Sequence, residues 1–201
     1  MKRYLLVAVL AGLMTACIDD TSGPDGSTDE SDLNFVRLES SAAVTVRQAS
    51  FWAVKGATRT LIMRYAPRPG ASQGERFVEL EVGANTLLAR PNGTPFLNGD
   101  SILITARLDD SNRLIMHFEP SGLTFNPLSP ARLVMSYALA DLDIDDDNDV
   151  DDRDRVLELR LQLWRQEQPG LPWLPLPSLR LNNFEIEARL LGFTAFAMAS
   201  E

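Results

Sequence analysis

The sequence predicts an all-β domain, an antiparallel β-sandwich of short strands, on the basis of two observations. Apolar and polar residues alternate through most of the chain beyond residue 43, as expected of strands that bury one face. Groups of Gly, Pro, Asn and Asp separate the alternating runs at roughly even spacing, which is typical of the turns in a sandwich or barrel.

Each strand is placed by its alternating run. The clearest run, 157–164, has four leucines separated by polar residues and therefore predicts a strand. The prolines within 173–178 exclude a central strand and predict an extended surface connection. In chain order, the predicted strands are 44–47, 60–65, 77–82, 101–108, 113–118, 132–137 and 157–164, followed by a last pair near 183–191 and 193–199.

The first 16 residues have the pattern of a secretory signal peptide. Lys2 and Arg3 give a positive start, and the apolar stretch that follows is shorter than the roughly 20 residues of a transmembrane helix. The segment Leu13-Met14-Thr15-Ala16-Cys17 resembles the lipobox of bacterial lipoproteins, in which a peptidase cuts before a cysteine that receives diacylglycerol. The resemblance implies a signal peptide over 1–16 and a lipidated Cys17.

The alternative for this segment is an ordinary secretory signal with a chance cysteine. Cys17 is the only cysteine of the chain, and an unpaired thiol is poorly suited to an oxidising compartment, which favours acylation. Acyl chains would anchor the protein to a membrane of the cell envelope without a spanning segment. Ile18 stands where retention in the inner membrane would favour Asp, so the outer membrane is favoured where one exists.

Residues 17–32 are predicted to form a flexible acidic tether, and 33–201 to form the sandwich domain. The tether is rich in Gly, Ser and Asp, and it has too few apolar side chains to offset the entropy lost on ordering. The chain has a net charge of −9, which argues against nucleic acid as a partner because phosphate contacts require a positive surface. The charge favours cations, glycans or proteins instead.

Residues 141–154 contain nine aspartates and resemble the Ca²⁺ loops of EF-hands and dockerins. Oxygen ligands at alternate positions of such a loop surround a hard cation. Asn148 occupies the position at which these loops usually have Gly. Asn is one of the residues other than Gly that most readily adopt the left-handed conformation. The predicted ligands, at loop positions 1, 3, 5, 7, 9 and 12, are Asp143, Asp145, Asp147, Asp149, Asp151 and Asp154.

Two points about this loop stay open. Val150 takes the position of the aliphatic residue that fixes an EF-hand loop to its domain, and such a loop leads into a helix. The residues after Asp154 alternate like a strand, although Val156, Leu159 and Leu163 would also share a helical face. The alternative to a Ca²⁺ site is a solvated acidic loop without an ion.

Several segments resemble a family of uncharacterised bacterial lipoproteins with a single β-sandwich domain, and one of them is similar to a turn of ZU5-type sandwiches. The resemblance implies the fold and assigns no activity. The segments are Gly99-Asp100-Ser101-Ile102, Phe118-Glu119-Pro120-Ser121-Gly122-Leu123-Thr124-Phe125-Asn126, Pro130-Ala131-Arg132-Leu133, Leu163-Trp164-Arg165-Gln166-Glu167 and Gly192-Phe193-Thr194-Ala195-Phe196-Ala197.

Signals for catalysis are weak. The stretch Gly99-Asp100-Ser101-Ile102 also resembles the nucleophile block of GDSL esterases, but the Asp-x-x-His that those enzymes carry near the C-terminus is absent. The only histidine, His117, falls in a predicted strand. There is no Cys or His cluster for zinc and no glycine-rich phosphate loop for a nucleotide.

The sequence therefore predicts a non-enzymatic, lipid-anchored module that binds a protein or glycan or has a structural role in the envelope. Trp173, which lies among prolines in the predicted connection, is a candidate for an exposed contact residue; the alternative is that it packs within the fold. The alternative is an extracytoplasmic hydrolase of wall or extracellular polymers that uses a pair of carboxylates, as glycosidases do.

Overall fold

The computed structural model describes residues 26–109, 111–181 and 184–201. The predicted signal peptide and Cys17 lie outside these described residues. No helix in this part of the chain is long and apolar enough to cross a membrane.

The described residues form one 3-10 helix, one α-helix and sixteen strands. The elements are a 3-10 helix (Glu30–Asp32), β1 (Asn34–Phe35), β2 (Arg37–Leu38), β3 (Gln48–Val54), β4 (Arg59–Arg64), β5 (Arg76–Val82), β6 (Leu87–Ala89), β7 (Ser101–Leu108), β8 (Ile115–Glu119), β9 (Thr124–Phe125), β10 (Ala131–Ser136), β11 (Ala140–Asp141), α1 (Asp152–Arg160), β12 (Gln162–Gln166), β13 (Leu174–Pro175), β14 (Ser178–Leu181), β15 (Glu185–Leu190) and β16 (Ala195–Ser200).

Two antiparallel sheets form a sandwich, which confirms the predicted fold class. Sheet A has the order β13-β12-β16-β8-β7-β3, with β1 also paired to β16, and sheet B has the order β14-β15-β10-β5-β4. The main core lies between them, where Leu80, Ile104 and Leu133 are fully buried. In β5, β7 and β10 the alternation of the sequence corresponds to one face in this core and one face outside it.

The turn between β8 and β9 lies within an aromatic cluster. Gly122 has a φ of +78°, which a residue with a side chain rarely adopts. Phe118 and Phe125 on either side are buried, and both pack on Phe193, with ring centroids 5.2 and 4.9 Å apart. The turn therefore joins β8, β9 and the segment before β16 in one aromatic cluster.

A second, smaller core lies on the other face of sheet A. It contains Trp164, Trp173 and Phe35, all of which are buried. The N-terminal segment helps to cover it, because Thr28 is 1% exposed and exchanges two backbone hydrogen bonds of 2.8 Å with Trp173. The predicted tether is therefore too long: its last residues, including the 3-10 helix, belong to the folded domain.

Two strand predictions are wrong in part. The alternating run 157–164 forms the end of α1 followed by β12. Leu157 and Leu161, spaced one helical turn apart, enter the main core at the helical part of the run, and Leu163 enters it from β12. The first strand was predicted over 44–47, whereas β3 begins at Gln48 and Val44 makes only an isolated bridge to Tyr65. In β3 only Ala53 is buried, so its sequence lacks the clear apolar alternation of a strand with one face in the core.

Alternating charges cover the outer face of sheet B. Glu79 accepts hydrogen bonds from Arg76 and Arg132, while Glu185 and Glu187 accept from the same two arginines at 2.6–2.9 Å. Burial would raise the pKa of Glu79, but the two arginines more than offset this effect, so its pKa lies below the ordinary value. Only 13% of the Glu79 side chain is exposed, so this network is shielded from solvent.

Replacement of Glu79 by Gln should lower the free energy of unfolding by about 1–3 kcal/mol at pH 7, since two guanidinium groups lose a charged acceptor. A carboxylate with a lowered folded pKa stabilises the protein above its unfolded pKa of about 4.3, and the contribution disappears as pH falls through the folded pKa. The difference between parent and variant should thus shrink below about pH 4. Urea denaturation at several pH values measures it.

The matched control is Glu81→Gln on the same strand. Glu81 forms no ion pair among the described residues, so this substitution should change stability by less than about 0.5 kcal/mol. Equal losses for Glu79→Gln and Glu81→Gln would contradict the role assigned to the network.

Candidate metal centre

The aspartate-rich loop connects β11 to α1 and is fixed to the domain at both ends. β11 pairs with β2, and α1 packs Leu157 into the main core. Ile144 fixes the middle of the loop, because it is 5% exposed and belongs to the same core. The prediction that Val150 has this role is wrong, since Val150 is 61% exposed. Ile144 was the other aliphatic residue of the loop interior, so the sequence did contain this signal.

The first half of the loop turns around Asp143. Its two carboxylate oxygens accept hydrogen bonds from the backbone N–H groups of Asp147 and Asn148 at 3.1 and 2.9 Å. Asn148 has a φ of +75°, which confirms the predicted left-handed conformation. Asp146 also has a positive φ, and its side chain points away to form an ion pair with Arg37 on β2. That guanidinium lowers the pKa of Asp146.

The second half of the loop is closed by Asp154, which is 3% exposed. One of its oxygens accepts from the backbone N–H of Ile144 at 2.6 Å, and the other from that of Asp151 at 2.9 Å. The Asp151 side chain in turn accepts from Arg153 N at 2.6 Å, which completes a capping box at the start of α1. These backbone hydrogen bonds, above all the one from Asp151, lower the pKa of Asp154.

The helix settles the conflict over the residues after 154. An EF-hand loop leads into a helix, and so does this one, with Asp154 in its first turn. The predicted helical face is wrong, however, because Val156 and Leu159 are exposed. Asp154 and Leu157 form the buried side of α1 instead.

The six predicted ligands come together in two groups of three. Within each group, ligand oxygens of the three carboxylates lie within 4.8 Å of one another. One group consists of Asp143, Asp145 and Asp147, and the other of Asp149, Asp151 and Asp154. Either group could hold a metal ion, although exposed acidic groups also occur without one.

Asp145 differs from the other members of these groups. Its side chain is 4% exposed, and neither carboxylate oxygen has a hydrogen-bond partner within the described residues. Arg153 Nη1 lies 3.0 Å from Asp145 Oδ2 and forms an ion pair, but its N–H groups are not directed at that oxygen well enough for a hydrogen bond. A buried carboxylate in this condition is costly unless a cation or donor compensates it.

The pKa values of the loop reflect the crowding of negative charge. Burial, followed by repulsion from Asp147, raises the pKa of Asp145, and the attraction of Arg153 is too weak to reverse this. Repulsion from Asp147 is also the main reason that the pKa of Asp149 is raised. A bound cation would relieve both effects, since it would replace repulsion between carboxylates by attraction to a shared charge.

The other candidate residues lie elsewhere. Trp173 is 1% exposed, so the prediction of an exposed contact residue is wrong. The prolines around it fold the connection back onto sheet A, where Trp173 packs edge-on against Phe35 at 5.5 Å. The tryptophan that is exposed is Trp52 on β3, at 60%.

The residues weighed for catalysis make local contacts. His117 lies in β8 with its Nε2 3.0 Å from Asp109 Oδ2. Asp100 accepts hydrogen bonds from Leu97 N and from Arg90.

Comparison of the chain with protein-family models, with curated proteins and with solved structures found no match. The function therefore has to be argued from the geometry of the site.

Replacement of Asp154 by Ala, measured in EDTA, should lower the free energy of unfolding by about 2–4 kcal/mol, because the helix loses its cap and the buried Ile144 N–H loses its acceptor. The far-ultraviolet circular dichroism should also show less helix. Asp149→Ala is the control, since Asp149 is exposed and is repelled by its neighbours. Similar losses for the two variants would refute the capping role of Asp154.

Proposed function

We propose that this chain is a lipid-anchored protein of the bacterial cell envelope, in which the β-sandwich is a non-enzymatic binding or structural module stabilised by Ca²⁺ at residues 141–154. The observation that carries the proposal is Asp145, a buried carboxylate without a hydrogen-bond partner in the described part of the chain. Its oxygens lie within 4.8 Å of those of Asp143 and Asp147, so a cation between them would bind all three.

The ligand chemistry favours Ca²⁺ over Mg²⁺. Two groups of three carboxylates lie on a loop with two left-handed residues, and Ca²⁺ accepts carboxylate, carbonyl and water oxygens in an irregular arrangement. Mg²⁺ requires a nearly ideal octahedron and usually keeps several waters. Four of the ligands, Asp143, Asp147, Asp151 and Asp154, already accept backbone N–H groups, and a carboxylate with further lone pairs can still bind a cation.

The structure limits the distance between the proposed anchor and the domain. Thr28, near the start of the described residues, is paired with Trp173 and is eleven residues from Cys17. An extended chain spans at most about 3.3–3.6 Å per residue, so the domain would stand within about 40 Å of the lipid surface. This distance favours an envelope partner close to the membrane, and the net charge of −9 argues against direct contact with anionic lipid headgroups.

Titration of Ca²⁺ into the full chain carrying Cys17→Ala should show saturable binding by calorimetry. At a free Ca²⁺ concentration one hundred times the dissociation constant, the ion should stabilise the fold by about 2.7 kcal/mol, equivalent to a rise of roughly 5–10 °C in melting temperature. Asp145→Asn should abolish this response. The same variant should melt above the parent in EDTA, because it removes a buried charge that is repelled by Asp147 and offset only by an ion pair with the largely exposed Arg153.

Asp152→Asn provides the control for this titration. Asp152 is 92% exposed and belongs to neither group of ligands, so the variant should bind Ca²⁺ like the parent. Absence of heat and of a thermal shift at millimolar Ca²⁺ would exclude the site.

The anchor is tested separately. Expressed with its signal in a bacterium that has an outer membrane, the chain should yield a mature protein that begins at Cys17 and carries two or three acyl chains, as measured by mass spectrometry. Cys17→Ser should lose the acyl mass and leave the membrane fraction, since the acyl chains supply the membrane affinity. An unmodified Cys17 in secreted protein would contradict the assignment.

A further inference from the structure

A cavity of about 690 Å³ opens where the segment before β16 faces the connection around β13. We call it the end groove and define it by Leu174, Pro175, Leu176 and Pro177 on one side and Leu191 and Thr194 on the other. Its volume falls within the roughly 300–1,000 Å³ that is typical of ligand sites. None of its lining residues belongs to the aspartate-rich loop, so it is a separate feature of the molecule.

The surface of the end groove is mainly apolar. Its inner wall includes Phe193 and Phe196, which belong to the main core, and its opening is formed by leucine and proline side chains that are exposed or half-buried. Leu191, at the opening, is 53% exposed. Apolar side chains that converge on a concave surface mark a binding site more often than scattered exposed leucines do.

The walls of the end groove are rigid. Pro175 and Pro177 have fixed φ angles, and the Leu176 N–H between them donates to Leu163 O at 2.8 Å. On the opposite wall, Gly192 approaches Leu123 so closely that a Cβ would lie 2.8 Å from the Leu123 carbonyl oxygen. A groove that exists before a ligand arrives loses little conformational entropy on binding.

The same prolines limit what can bind. β13 is the edge strand of sheet A, but Pro175 and Pro177 have no N–H to offer to an added strand. An extended peptide that binds by strand addition depends on such main-chain hydrogen bonds. The end groove is therefore suited to a ligand that uses apolar contact alone along its length, such as an acyl chain.

Two arginines at the rim offer donors for an anionic head group. Arg165 and Arg189 line the end groove together with one carboxylate, Glu167. Arg165 forms an ion pair with Glu167 at 3.0 Å and Arg189 forms one with Glu187 at 2.8 Å, but a guanidinium group has five N–H donors, so donors remain for a ligand. The Arg165 and Arg189 side chains are 40% and 57% exposed and can reach a ligand. A guanidinium group binds a carboxylate or phosphate through two parallel hydrogen bonds.

We propose that the end groove binds an anionic amphiphile with a single acyl chain, of which a long-chain fatty acid is the simplest. The chain lies along the leucines and prolines, and the head group meets Arg165 and Arg189. This site goes beyond the proposed function and depends on neither Ca²⁺ nor the lipid anchor.

The test is calorimetric titration of octanoate, decanoate and dodecanoate, below their micelle concentrations, into the full chain carrying Cys17→Ala. This substitution keeps the protein's own acyl groups out of the groove, and EDTA in the buffer separates the result from Ca²⁺ binding. We expect saturable binding of one dodecanoate per chain. Each added methylene should strengthen binding by up to about fourfold.

Two variants locate the site. Leu191→Glu places a charge at the opening and should weaken dodecanoate binding at least tenfold. The double variant Arg165→Gln/Arg189→Gln should weaken dodecanoate at least tenfold and leave binding of neutral dodecanol unchanged. The controls Leu179→Glu and Arg155→Gln alter residues outside the groove that are more exposed than those tested, and they should bind like the parent.

Absence of saturable binding, affinity independent of chain length, or undiminished binding by Leu191→Glu would overturn the proposal. Equal affinity for dodecanoate and dodecyltrimethylammonium would overturn the assignment of an anionic head group. Melting temperatures close to that of the parent will show that the variants are folded. If Leu191→Glu unfolds, the arginine variant, which changes only exposed side chains, still tests the location of the site.

Discussion

Mutual repulsion among the aspartates of residues 141–154 is the constraint on which the conformation of this part of the molecule depends. The fold compensates most of these charges individually. Asp143, Asp151 and Asp154 accept backbone N–H groups, and Asp146 is paired with Arg37. Each of these contacts also shapes the chain, since together they close the loop, attach it to β2 and begin α1. Asp145 alone is buried with its charge only weakly compensated, and this is why the loop is a candidate metal site.

The sequence predicted the parts of the fold that depend on local alternation. β5, β7 and β10 were placed nearly residue by residue, because each has one face in the core and, apart from Leu103 and Val134, mainly polar side chains on the other. The alternating leucines of 157–164 gave the wrong element, since a run in which every second residue is apolar also contains apolar pairs four residues apart. The capping box formed by Asp151 and Asp154 was the local signal for a helix.

Features that depend on distant contacts could not be predicted. All six loop aspartates look equivalent in the sequence, and only the fold distinguishes the buried Asp145 from the exposed Asp149. The burial of Trp173 depends on Thr28 and Phe35, which lie more than 130 residues away along the chain. The end groove likewise requires that the proline-rich connection meet the segment before β16, and no local pattern in the sequence encodes that meeting.

The pairing of Thr28 with Trp173 also determines how the domain would respond to mechanical load. If the domain is bound by a partner while its N-terminus is held at a surface, tension passes through the contacts of Thr28. These are its two backbone hydrogen bonds to Trp173 and the hydrogen bond from its hydroxyl to Glu201 at 2.7 Å. Behind them, β1 joins β16, an interior strand of sheet A with neighbours on both sides. A pull that opened the first contacts would thus release a few residues of slack before it reached the sheet.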